Sequence, residues 1–235
     1  MIKIVFLILI LFSLLMFASS NEPQDGNNEL NDPLKTKVVE LASNFLIIDT
    51  HIDVPYRLDK EWEDISESTE KGHFDYPLAK LGGLNAAFMS IYIPSEYEET
   101  GRGKDLADRL IDMVEDITTN NPDKFKIALS TEDVNNNFDN GILSSPLGME
   151  NGTSIDGQIT NVQYFYDKGI RYITLAHAKS NYLSYSSCDE DRQYNGLSKF
   201  GETVVREMNR LGIIEMSHIF QIVHFTMYLK FRQHL

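Results

Sequence analysis

The chain has 235 residues with 42% hydrophobic content, enough for one sizeable globular core. Its 21 Lys plus Arg against 35 Asp plus Glu leave a net charge of -14, which repels phosphate backbones and argues against nucleic acid or an anionic membrane surface as partner. The single cysteine, Cys188, excludes an intrachain disulfide framework and a C-x-x-C zinc or redox site, so any metal must be held by histidines and carboxylates.

At the N-terminus Lys3 precedes an apolar run, Ile4 to Phe17, and the small residues Ala18, Ser19 and Ser20. Residues 1–20 therefore read as a secretory signal, and export to a periplasm, the cell surface or the medium is expected. The run is short against the roughly 20 residues of a membrane span, so the segment engages a membrane transiently, with an uncleaved anchor as the alternative. Residues 21–33 have almost no apolar content and read as a polar linker. Asp32 and Pro33 make a helix start, N-cap then first turn, and Leu34, Val38, Leu41, Ala42 and Phe45 carry helical spacing onward.

Phe45 to Ile48 reads as a short buried strand, followed at once by Asp49, His51 and Asp53. On extended backbone His51 and Asp53 share one face and can close on one cation, since imidazole and carboxylate both suit zinc and similar metals. A strand exit with solvated polar residues is the plainer reading of H-x-D by itself. The segment from there to Gly83 is polar and reads as irregular. Asn85 to Ile93 reads as a second buried strand, closed by Pro94, and Leu106, Leu110, Met113, Val114 and Ile117 recur at helical spacing. Phe125 to Leu129 reads as a short strand, and a small helix from Thr131 is expected to end at Asn135 to Asn137. Ile142 to Leu147 then leads to Gly148-Met149-Glu150-Asn151-Gly152.

A helical stripe of Ile159, Val162, Phe165 and Tyr166, stopped by Gly169, precedes a strand Tyr172 to Leu175 that ends at His177. The same grammar repeats with an amphipathic helix from Leu197 to Leu211, Gly212 as its cap, and a strand Ile213 to Met216 that stops at Ser217-His218. Strands alternating with helices imply an α/β architecture with parallel pairing and right-handed crossovers. In such folds ligands gather at the carboxyl ends of the strands, which is where His51 with Asp53, Glu150, His177 and His218 fall. Each has a structural explanation taken singly, Glu150 as a turn residue and the two later histidines as satisfied core groups. Together they require the same coincidence four times. His73 has no strand before it and reads as a surface residue. Asn151-Gly152-Thr153 is formally an N-glycosylation acceptor. No Ser or Cys stands in a nucleophile setting, and Cys188 lacks a neighbouring positive charge to activate its thiolate.

Four stretches resemble the membrane (renal-type) dipeptidases, the M19 metallopeptidases: I-D-T-H-I-D-V-P at 48–55, G-M-E-N-G at 148–152, R-Y-I-T-L-A-H at 171–177, and the long run G-L-S-K-F-G-E-T-V-V-R-E-M-N-R-L-G-I-I-E-M-S-H at 196–218. The resemblance covers residues 34–218 in the family's order. It implies a (β/α)8 TIM-type barrel, here its first five βα units or so, with two Zn2+ ions and hydrolysis of dipeptides by a metal-bridged hydroxide. Some members also take β-lactam amides, and a homodimer is compatible with the family. By position, His51 and Asp53 would bind the first zinc, Glu150 would bridge both, His218 would bind the second, and His177 would face the substrate as a catalytic and substrate-binding residue. A different amidohydrolase-type barrel hydrolase, usually H-x-H after its first strand, and a non-catalytic exported fragment are the competing readings.

The resemblance stops after His218. Residues 219–235 match nothing in the family, and His224 and His234 stand at the wrong distances to complete a second zinc site. A truncation by frameshift is the expected cause. With five strand ends out of eight the barrel is expected to stay open, with unpaired edges. The chain as written is expected to bind at most one metal weakly and to show little or no dipeptidase activity.

Overall fold

The computed structural model describes residues 33–190 and 196–216. The expected signal segment 1–20, the expected linker up to residue 32, His218 and the tail 219–235 lie outside the described residues. Two compact units divide the chain, Met1–Leu41 and Ala42–Leu235. Helix α1, Pro33–Asn44, starts at the proline as the spacing predicts.

The second unit is an α/β fold built on seven parallel strands: β1 (Ile48–Ile52), β2 (Ala86–Tyr92), β3 (Phe125–Lys126), β4 (Leu143–Ser144), β5 (Leu147–Glu150), β6 (Ile170–Thr174) and β7 (Ile214–Met216). The longer run of the sheet, β1-β2-β5-β6-β7, follows chain order, and every pair in it is parallel. This is the wall expected of a partial βα barrel. The short β4 pairs with the start of β2 at Ala86↔Ser144, β5 takes over from Met89↔Leu147, and Pro146 separates the two. Among the described residues β1 pairs only with β2 and β7 only with β6, so both margins of the wall are open edges.

The connecting helices are α2 (Val54–Lys60), α3 (Tyr76–Gly82), α4 (Tyr97–Thr100), α5 (Gly103–Asn120), α6 (Thr131–Asp139), α7 (Thr160–Asp167) and α8 (Lys199–Leu211), with a 3-10 turn at Gly152–Ile155. Alternation along the strands divides their side chains between two layers. Met89, Ile91, Leu147, Met149 and Ile173 turn one way and form a single core with Leu106, Leu110 and Val114 of α5, Val162 and Phe165 of α7, and Val204, Val205 and Met208 of α8. Ser90, Tyr92, Gly148, Glu150, Tyr172 and Thr174 turn the other way, toward the concave side where a barrel keeps its axis.

Several boundaries differ from the sequence reading. The strand after α1 is Ile48–Ile52, not the apolar run before it, and Phe45, Ile47 and Ile48 are exposed. Its pairing is fixed by polar groups: Asn85 Oδ1 accepts from the Ile47 amide at 2.8 Å, and the Asn85 and Ala86 amides donate to Ile47 O. An edge strand has one neighbour to hide behind, so its apolar residues stay partly in solvent. The stretch between Asp53 and Gly83 is not irregular, because Val54-Pro55 and Tyr76-Pro77 each start a helix and Asp75 caps the second through the Leu78 amide at 2.8 Å. Helix α6 runs past Asn135 to Asn137 as far as Asp139, with the side chains of Asn135 and of the C-cap Asn140 donating to the carbonyls of Thr131 and Asn136 one turn earlier. The strand at Phe125 is two residues long rather than five.

Candidate metal centre

His51 is the penultimate residue of β1, and a bulge between Asp49 and Ile52 breaks the register there. Asp49 Oδ1 accepts from the His51 amide at 3.0 Å, so this carboxylate serves the bend rather than a ligand. Asp53 is not on extended backbone, as the two-residue spacing suggests, but at the N-cap of α2 with φ -86° and ψ 30°. Pro55 starts that helix, and Val54 and Leu58 are buried beneath it. The sharp turn from strand to helix folds Asp53 back so that its Oδ1 lies 3.4 Å from His51 Nε2. The two side chains meet as expected, by a different local geometry.

Glu150 ends β5, 6% exposed. Its Oε2 lies 3.2 Å from His51 Nε2 and accepts from Ser90 Oγ at 3.2 Å, while its Oε1 lies 3.2 Å from His177 Nε2. Glu150 is thus a strand residue whose two oxygens face two different histidines, not a turn residue. His177 stands three residues beyond β6, half-buried, its carbonyl bonded to Ser186 Oγ and its ring edge-on to Tyr92 at 5.2 Å between centroids. Four of the five residues singled out from the sequence, His51, Asp53, Glu150 and His177, therefore meet on one rim. The fifth, His218, lies outside the described residues.

One donor atom each of His51, Asp53 and Glu150 lies within 4.8 Å of the others, the one such group among the described residues that could hold a metal ion. The electrostatics favour a cation there. Hydrogen bonding to Asp53 and then Glu150 pushes the His51 pKa up to about 10 against the opposing effect of burial. The Asp53 carboxyl is held below its ordinary range, chiefly by the His51 imidazole. Burial, and then the Glu150 charge, pushes the Tyr92 phenol up. Two carboxylates around one imidazole give a site that draws positive charge, supplied by a proton when no metal is bound.

The supporting shell is what the sequence reading misses. Asn151, immediately after Glu150, has φ 76° and ψ 107°, a conformation that side chains seldom adopt. It is held there by its own carboxamide: Nδ2 donates to Ile93 O at 2.8 Å, and Oδ1 accepts from Thr153 Oγ1 and Asn181 Nδ2, each at 2.9 Å. Asn181 also donates to Leu175 O at 2.7 Å, so two buried amides tie together the ends of β2, β5 and β6. The formal glycosylation acceptor at Asn151 is accordingly 1% exposed, with its nitrogen already engaged. Gly148 and Tyr172 belong to the same shell. Only strand register reveals these partners, and a single strand's composition carries no register. His73 is exposed, as the sequence suggests.

The chain matches known proteins along most of its length. The model of the membrane dipeptidase family (peptidase family M19) matches residues 35–223, a few residues past His218, where the motif resemblance ends. Dipeptidase aclJ of Aspergillus oryzae is 33% identical over 156 residues, 63% of this chain and 37% of its own length. Dipeptidase 3 of Mus musculus is 29% identical over 199 residues, 80% of this chain and 39% of its own. The chain therefore spans well under half the length of these two relatives. Among solved structures, a metallo peptidase from Rhodobacter sphaeroides, liganded with a phosphinate mimic of the dipeptide L-Ala-D-Ala, superposes with a TM-score of 0.70 at 18% identity. That match covers 80% of this chain and 62% of the other and establishes the shared fold. With the family model spanning residues 35–223, and so His51, Asp53, Glu150 and His177, this chain belongs to the membrane dipeptidase family, peptidase family M19.

Proposed function

We propose that the protein is a metal-dependent hydrolase of dipeptides. His51, Asp53 and Glu150 would hold a divalent cation, zinc, and His218 would add a donor toward a second ion. The observation that carries the reading is the division of Glu150 between two histidines, His51 on Oε2 and His177 on Oε1, at the carboxyl rim of a parallel sheet. The donor set is one imidazole and two carboxylates, a combination zinc accepts. Zinc bound there supplies Lewis-acid polarisation of a substrate carbonyl and an activated water.

The chain's own groups do the rest. Glu150, 6% exposed and braced by Ser90, is a fixed anionic anchor. Asp53, with 61% of its side chain exposed, lies on the side from which solvent and substrate approach. His177, set against Glu150 and Tyr92, is positioned to donate to negative charge developing on the substrate. The phosphinate ligand of the Rhodobacter sphaeroides relative supports a substrate of two residues. Export rests on Lys3 and the apolar run to Phe17.

The test is metal content together with turnover of the purified full chain. It is expected to bind zinc weakly and to turn over a dipeptide slowly at most, in a reaction that a chelator stops and added zinc restores. Bound zinc with no turnover contradicts catalysis and leaves an exported metal-binding module. Turnover indifferent to chelator contradicts the metal-dependent reading.

A further inference from the structure

We propose that Tyr172 is a positioning residue that sets which nitrogen of His51 faces the two carboxylates, and that Gly148 is required to let the tyrosine ring reach it. The inference rests on the metal-binding reading above and extends it to two residues that touch neither carboxylate in the contacts described.

Tyr172 and Gly148 are register partners on β6 and β5. A Cβ at Gly148 would stand 2.0 Å from Tyr172 Cζ and 2.1 Å from Cε1, so the ring lies directly across the glycine and no side chain fits beneath it. Beyond β5 the ring lies 5.3 Å from Phe88 and 6.2 Å from His51, in the second case tilted by 23°. Tyr172 is 2% exposed, and its hydroxyl ends 2.7 Å from His51 Nδ1. The reach spans two strands, from β6 across β5 and β2 toward β1, and it is open only because one position on the way is glycine.

The chemical consequence follows from the two nitrogens of imidazole. A metal takes a lone pair from one nitrogen, and the proton must then sit on the other, where it needs an acceptor. His51 Nε2 is the nitrogen that faces Asp53 and Glu150, so Nδ1 carries the proton and the Tyr172 oxygen receives it. The same bond stops the ring from turning Nδ1 toward the acids. Core packing alone does not account for the arrangement, because a phenylalanine would fill the same space over Gly148.

The experiment compares the full-length wild-type chain with Tyr172→Phe, which keeps the ring and removes the hydroxyl. Zinc affinity is measured by competition with a chromophoric chelator, and the His51 ring proton of the zinc-loaded protein is followed by nitrogen-edited NMR. Wild type is expected to show a slowly exchanging Nδ1 proton. Tyr172→Phe is expected to lose that resonance and to bind zinc about 10- to 100-fold more weakly. Gly148→Ala, whose Cβ would displace the tyrosine ring, is expected to weaken binding and to lose the same ring-proton resonance. Unchanged affinity and an unchanged ring proton in Tyr172→Phe overturn the inference alone, whether or not Gly148→Ala folds. A wild-type chain that takes up no zinc overturns the metal reading and this inference with it.

Discussion

Leu147 and Glu150 are the two ends of one short strand, β5, and they belong to different parts of the molecule's chemistry. Leu147, 0% exposed, faces the helices and is embedded in their core, and the amino end of the sheet beside it borders an apolar cavity of about 430 Å³ lined by Ile48, Ala86, Phe88, Pro146 and Ile214 among others. Glu150 faces the other layer, among His51, Ser90 and His177. The contrast teaches that strand polarity sorts function. Parallel strands end together, so the loops at their carboxyl ends bring titratable groups together, while their amino ends need only pack. Substitutions at the two ends should therefore separate binding from stability.

The largest effect is expected at the rim. Glu150→Gln should weaken zinc binding by more than about 100-fold, beyond the range of an outer-shell contact, with far-UV circular dichroism unchanged. Equal zinc affinity in the variant would dissolve the contrast. At the other end of the strand, Leu147→Ala should cost about 2–5 kcal/mol in urea unfolding, through lost burial and the cavity left behind, with zinc affinity of the folded protein retained. Asn151→Ala is the intermediate case, since it removes the amide that joins strand ends next to Glu150 and leaves the strained backbone in place. A loss of about 1–3 kcal/mol together with weaker zinc binding is expected, and an effect on one readout only would show that rim and scaffold are more separate than the network implies.

The smallest effect is expected at Asp75, the N-cap of α3. Burial raises its pKa, but the Thr69 and Leu78 amides that it accepts from bring the carboxyl below its ordinary 3.8. Its contribution to stability is complete above that value and fades as pH falls through the lower folded-state pKa. Asp75→Ala should cost about 1 kcal/mol near neutral pH, and the difference from wild type should shrink in acid. Zinc affinity should not change.

Much of this was legible in the residues themselves. The helical stripes of Leu106 to Ile117 and Leu197 to Leu211 have the periodicity of surface helices, and both form, the second ending at Gly212 with φ 78°. His51, Asp53, Glu150 and His177 were visible because each follows an apolar run at a strand end. The errors came where one physical effect competed with another. Phe45 to Ile48 looked like the strand because it is apolar, but edge pairing moved the strand onto the polar residues after it. His51 and Asp53 looked extended, but Pro55 started a helix and turned the second residue back. The partners that hold the site, Tyr172 over Gly148 and Asn151 with Asn181, are long-range pairs, and neither member carries a signal until the register is known.

Zinc-edge anomalous scattering from crystals of the zinc-loaded chain tests the central claim most directly. The claim predicts a strong peak within bonding distance of His51 Nε2 and of carboxylate oxygens of Asp53 and Glu150. Zinc-loaded crystals with no anomalous peak among these three side chains would contradict it.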